Sequence, residues 1–450
     1  MQKDAQGLPM LAASAEAAAG YDRALEGFLL YRADTSHRLK AAAALDPDCP
    51  MLVLLRGALA MLAANSTFAP SAMEAAAQAG ALAARGTARE RAHAAALAAW
   101  AEGDMAKALA AWTGIMAEHP HDLLALRLHH YNAFWRGRAD MMLAAVTGVL
   151  PHWGPDQPGY HNVLACQAFA NEECGNYLVA EAAGRAAVGI NPADLWATHA
   201  VAHVMEMQGR RGEGIAWTTG LEQHWEGGNN LTHHLWWHRA LFHYERGEHD
   251  QVLSLYDQRF RNLDSPVTQV MPDLAIDMQN AISMLYRLRL QGVDGGARWA
   301  ELADKSEARI GDCQQGFNLP HFMMALAVTG RFDAAERMLA GVRDYARSHN
   351  GGNAAIIGQY ALPICEAVLR HGRGDFAGAV AAMRPALGGM HALGGSHAQQ
   401  DVLEQFFLDA AIQAGSEEDA RLLLERVAGR HPVPPERRVG YRKAAASILH

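Results

Sequence analysis

The sequence predicts an all-α protein assembled from helical hairpins, and three observations predict it. A segment with a turn glycine, a polar residue and an Ala-rich amphipathic stretch recurs along the chain. Prolines fall just beyond expected helix ends, and no sustained period-two run signals a strand. The recurring segments are EGDMAKALAAW, RGRADMMLAAV, CGNYLVAEAAG, RGEHDQVLSLY, GRFDAAERML, GDFAGAVAAM and GSEEDARLLL. Each reads as the inter-helix turn and second helix of a hairpin.

The spacing of the turns supports this element by element. Gly103, Gly137, Gly175, Gly209 and Gly247 stand 34, 38, 34 and 38 residues apart, close to the ~34 of a tetratricopeptide-type hairpin. Later steps are looser. The phrases EHPHD at Pro120, INPAD at Pro192 and LDPD at Pro47 each put a proline where its missing N–H costs least. The expected architecture is therefore tetratricopeptide-like helical-hairpin repeats forming a solenoid or a closed toroid. No stretch reads as a domain linker. SPVTQVMPD around Pro266 and SHNGGNAA around Gly351 read as longer inter-repeat loops, so residues 1–450 are expected as a single helical repeat domain with 1–15 as a flexible N-terminal tail.

Bulk properties limit the function. The chain has 450 residues, half of them apolar and 19% charged, enough for an extensive core and too apolar for disorder. A net charge of −9 with no Lys/Arg run argues against nucleic-acid binding. No apolar stretch reaches transmembrane length, and the N-terminus lacks a signal-peptide core, so a cytoplasmic location without membrane attachment is expected. Five cysteines without a CxxC pair indicate neither a disulfide framework nor a zinc–thiolate site. Histidine is the outlier: there are 23, many crowded between His199 and His249.

That crowding has a pattern. In THAVAHVMEM, His199 and His203 are four apart and Glu206 follows three later, so all three share one helical stripe. In LTHHLWWHRALFHY, His234 and His238 repeat the spacing exactly 35 residues on, about one repeat. Both pairs precede their turn glycine and so belong to the first helix of a hairpin, the helix that lines the concave face of such arrays. Corresponding first helices carry His130, Glu173, Asp277, Asn318, His321, Gln399 and Asp401.

Three chemistries fit this constellation. The residues are satisfied polar groups at helix contacts; or His199, His203, His234 and His238 hold a divalent metal, without the HExxH pattern; or a histidine oriented by Glu206, Glu173 or Asp401 acts as a proton acceptor. Trp196, Trp217, Trp225, Trp236 and Trp237 flank the same helices and fit inter-repeat packing. Trp236 and Trp237 point about 100° apart, so at most one faces the side of His234 and His238. No P-loop, nucleophile elbow or dinucleotide fingerprint occurs, and no nucleotide cofactor is expected.

The phrases DLLALRLHHYNAFWRG, INPADLWATHAVAHVMEMQG, HLWWHRALFHYERGEHDQVLSLYD, AISMLYRLRLQGV, FNLPHFMMAL and GGSHAQQDVL resemble, in order across nearly the whole chain, the tetratricopeptide repeat protein 38 family. The resemblance implies a fold of degenerate helical repeats. It matches His130, Glu173, His199, His203, Glu206, His234, Trp237, His238, Asp277, Asn318, His321, Gln399 and Asp401, while His397 stands where other members carry Asn. The resemblance supplies no activity.

The leading expectation is a His/acid-lined interior pocket for a small polar molecule, with hydrolytic or acid–base chemistry. Its catalytic set is His199, His203, Glu206, His234, His238 and Asp401, and its ligand-binding set is His130, Glu173, Trp237, Asp277, Asn318, His321 and Gln399. The alternative is a non-enzymatic tetratricopeptide scaffold that binds a peptide or partner protein.

Overall fold

Each hairpin turn has a backbone requirement that explains its glycine. Gly103, Gly137, Gly175, Gly209 and Gly247 all have positive φ, from 61° to 84°, the left-handed conformation that closes a helix C-terminus and that glycine adopts without a Cβ penalty. The regular glycine steps are therefore a chain of helix stops. Between them the structure, a computed structural model that describes residues 1–449, is all-α. The chain is a tetratricopeptide-like helical-repeat protein.

Helix starts are fixed as locally as the stops. Thr87 and Glu90 form a reciprocal capping box at Ala88–Ala101, and Ser396 and Gln399 form another at His397–Gln413. The proline phrases have a second use here. Asp122 of EHPHD and Asp194 of INPAD each accept a backbone N–H three residues on, from Ala125 at 2.8 Å and from Ala197 at 3.0 Å. The aspartates thus cap the next first helix while the prolines end the previous second helix. Each cap carboxylate also meets a histidine from the preceding hairpin, His93 Nε2 to Asp122 at 2.9 Å and His161 Nδ1 to Asp194 at 2.7 Å.

By its internal contacts the chain forms two compact units. The first comprises Met1–Val201 and Leu221–Thr232. Its hairpins are Ala15–Leu29 with Thr35–Leu45, Pro50–Leu62 with Ala69–Ala83, Ala88–Ala101 with Met105–Glu118, Leu123–Phe134 with Ala139–Val149, and Tyr160–Glu173 with Tyr177–Ile190. Ahead of them Gln2–Lys3 pairs antiparallel with Pro9–Met10, and buried Asp4 meets Arg89 at 3.0 Å. Within this unit the chain returns on itself. The Ala33 N–H donates to the Gly227 carbonyl at 2.9 Å and the Asn229 N–H to the Tyr31 carbonyl at 2.7 Å.

The second unit comprises Ala202–Gly220 and the chain from His233 onward. Its polar first helices, apart from the shared helices Leu195–Met207 and Leu231–Glu245, are Ala275–Leu290, Asn318–Val328 and His397–Gln413. Two segments differ from the expectation of loops: Pro266–Val270 is a short helix with proline in its first turn, and Gly352–Ile356 runs through a π-helical turn into Leu362–Gly372. Such short pieces carry too few turns for a hydrophobic period to register. Among the described residues no helix is long and apolar enough to cross a membrane.

Candidate functional site

All the predicted site residues lie on first helices, and the structure buries nearly all of them. His130, His199, His203, His234, Trp237, His238, Asp277, Asn318, His321 and Gln399 are at most 4% exposed and Asp401 is 7% exposed. Glu173 and Glu206 are half-buried.

In the first unit the polar groups are set in an aromatic core. The His199 ring stacks on Trp196 with centroids 4.7 Å apart and lies 5.2 Å from Phe169. His130 lies 5.9 Å from both Phe169 and Trp196. Arg127, buried in the same helix as His130, places its guanidinium 4.4 Å above Trp196 and donates to the Tyr31 hydroxyl. Burial, with the nearby Arg127 charge, holds the His130 imidazole well below its usual pKa. Burial and the adjacent Glu173 hold the Glu172 carboxyl well above its own.

In the second unit three imidazoles converge. His203 and His238 have ring centroids 4.4 Å apart, and His234 and His238 4.8 Å apart. One ring nitrogen from each of the three lies within 4.8 Å of the others. Trp237 packs face to face on His234 at 5.1 Å and edge-on to His238 at 5.0 Å. Trp236 turns away to His233 and Arg259, so one tryptophan of the pair accompanies the histidines. Burial pulls His234 down to about 4 and His203 and His238 well below the ordinary range. At neutral pH these rings present lone pairs and carry no charge.

The acids have other partners. Asp401, expected to orient an imidazole, accepts from Arg438, from Tyr441 Oη at 2.5 Å and from Gln405 Nε2 at 2.6 Å, with Arg287 at 3.5 Å. Burial raises its carboxyl, but Arg438 and Arg287 outweigh it and hold the pKa at about 2. Two buried guanidinium groups need a counter-charge, and Asp401 provides it. Burial, reinforced by Glu245 and opposed by Arg211, pushes Glu206 up to about 8. Asp277 accepts from His233 Nδ1 at 3.0 Å.

The amide residues bond to one another. Gln279 donates to Asn318 Oδ1 and accepts from Gln399 Nε2 at 3.4 Å, while Gln399 Oε1 takes the Ser396 N–H at 3.0 Å. Gln399 is therefore a helix cap. His321 donates from Nδ1 to the Phe317 carbonyl at 2.9 Å.

Sequence reasoning missed Gln279, Asn280, Arg287 and Arg438. The first three share the buried stripe of Ala275–Leu290 with Asp277 and Ser283, a run of polar residues at helical spacing that was available as a signal. Asn280 matters most, since its Oδ1 accepts from His234 Nδ1 at 3.0 Å.

No protein-family model matches the chain. Solved structures similar to it include yeast Tom70, at 12% identity and TM-score 0.37 over 96% of each chain. Human IFIT1, in a dimer with m7Gppp-AAAA, is 12% identical with TM-score 0.39, over 94% of this chain and 96% of that one. The tetratricopeptide domain of P58(IPK) is 12% identical with TM-score 0.20, over 90% and 99%.

Proposed function

We propose that the protein is a repeat scaffold of the tetratricopeptide repeat protein 38 family that docks a partner protein on the outer helices of its first unit. One observation carries this reading: the solvent faces of three successive second helices are mostly uncharged. Tyr177–Ile190 exposes Leu178, Val179, Ala182, Ala186, Gly189 and Ile190, with Leu178 85% and Ile190 50% exposed, and a single charged residue, Arg185, which pairs with Glu181. Met105–Glu118 exposes Ala106, Ala110, Thr113, Gly114 and Ala117, with Lys107 and Glu118 near its ends, and Ala139–Val149 exposes Ala144, Thr147 and Gly148 after Asp140 in its first turn. A surface helix normally puts charge on this side, and an extended apolar face marks a protein contact.

The small-molecule reading with acid–base chemistry has weaker support. Its carboxylate Asp401 is engaged by arginines, and His203 and His238 are 0% exposed, whereas a proton acceptor has to reach its substrate.

The test is native purification of the tagged chain from its own cells, with mass measurement, beside a variant carrying Leu178→Lys and Ile190→Lys. The reading expects a stoichiometric partner on the wild type that the variant loses while its melting temperature is unchanged. A wild type that isolates alone, or a variant that keeps the partner, overturns it.

A further inference from the structure

Imidazoles are an expensive way to fill a core. Leucine or phenylalanine would fill the same volume without desolvating ring nitrogens, yet three histidines from two successive repeats meet inside the second unit. They come from Leu195–Met207 and Leu231–Glu245, helices separated in the chain by Arg211–Leu221. One nitrogen of each lies within 4.8 Å of the other two. Nitrogen ligands 2.0–2.1 Å from a tetrahedral zinc ion are about 3.4 Å apart, so modest rotations of the rings bring them to coordinating distance.

We infer that His203, His234 and His238 form a binding site for a first-row divalent cation of the zinc class, pinning the first helices of two adjacent repeats together.

The surroundings of the histidines fit that role. Asn280 Oδ1 can only accept, so His234 Nδ1 carries the proton and Nε2 carries the lone pair. This is the outer-shell bond that fixes the tautomer and orientation of a metal-ligating histidine. Trp237, stacked on His234 and edge-on to His238, holds both rings in a dry setting. The donor set also selects the ion: neutral imidazoles suit zinc, copper and nickel, whereas calcium and magnesium require oxygen ligands. His234 and His238, four residues apart on one helix, stand at the spacing by which two histidines of one helix reach a common ion.

Binding of Zn²⁺ alone tests the site, read on the full chain after chelator treatment. Elemental analysis, competition with a chromophoric chelator and the visible spectrum of the Co²⁺ form are compared for wild type, His203→Asn/His238→Asn and Asn280→Ala. The wild type is expected to take one equivalent of Zn²⁺, to melt at higher temperature with it, and to ignore Ca²⁺ and Mg²⁺. The double variant is expected to lose the equivalent, and Asn280→Ala to bind about 10- to 100-fold more weakly. If the double variant does not fold, Asn280→Ala and the wild-type melting shift decide. Wild type that takes up no tight equivalent, a folded double variant that keeps it, or Asn280→Ala with unchanged affinity overturns the inference.

Discussion

Burial in this protein changes which side chains are charged, and the direction differs for acids and bases. Burial alone pulls His129 down to about 4, and it does the same to His321 against the opposing bond to the Phe317 carbonyl. The unfolded imidazole takes a proton near 6.5 while the folded one refuses it until about 4. Stability is therefore lost as pH falls between those values, on the order of 3 kcal/mol for each group. Glu206 has the opposite sign. Its folded pKa of about 8 lies above its unfolded value, so its contribution is complete below about 4.5 and is lost as pH rises to 8. Denaturant melts at pH 5 and pH 8 check this: Glu206→Gln should match wild type at pH 5 and exceed it at pH 8 by on the order of 1–4 kcal/mol. Equal curves at both pH values would show that Glu206 is not held protonated. The histidine pairs were legible at this scale because spacings of four and 35 residues are written in the chain. The engagement of Asp401 by Arg438 was not, because a contact across 37 residues leaves no periodic trace.

At the scale of single elements, turn and helix glycines should respond oppositely to the same substitution. Gly103 closes a helix at φ 84° and Gly114 lies inside Met105–Glu118, and a Cβ at either position would meet nothing within 4 Å. Only the backbone then decides. Gly103→Ala forces an L-residue into the left-handed region and should cost about 1 kcal/mol. Gly114→Ala removes chain entropy from the unfolded state and should add about 0.5–1 kcal/mol. Thermal melts of the two single variants should move in opposite directions, and a common direction would refute the assignment of Gly103 as a helix stop. The same reasoning explains what could be read of the fold. A left-handed helix stop has almost one residue solution, so the hairpins were visible as glycine steps, and the prolines at 47, 120 and 192 fell beyond helix ends as expected. Asp122 and Asp194 as helix caps were equally local, but lay hidden beside the prolines that drew the reading.

Across a whole unit, the first one, Met1–Val201 with Leu221–Thr232, departs from a simple repeat array. In an array each repeat touches only its neighbours, and stability is close to a sum of local terms. Here Arg32 Nη1 donates to the Glu226 carbonyl at 2.8 Å across 194 residues, and the Tyr31–Ala33 backbone is bonded to Gly227 and Asn229. The loop of the first hairpin is thus tied to the unit's last segment, and opening either end should loosen the other. Gly228 gives access to this closure. A Cβ there would lie 2.6 Å from Thr232 Cγ2, 2.9 Å from Leu195 Cδ1 and 3.0 Å from the Trp225 carbonyl, so Gly228→Val must displace the segment, at a cost of about 1–3 kcal/mol. Hydrogen exchange on the full chain distinguishes closure from a local defect. With closure, the amides of Ala33 and Asn229 lose protection together, although they are far apart in sequence. Loss confined to residues near Gly228, with Ala33 unchanged, would mean that the repeats are stabilised only by their neighbours and that the tie contributes nothing to the unit.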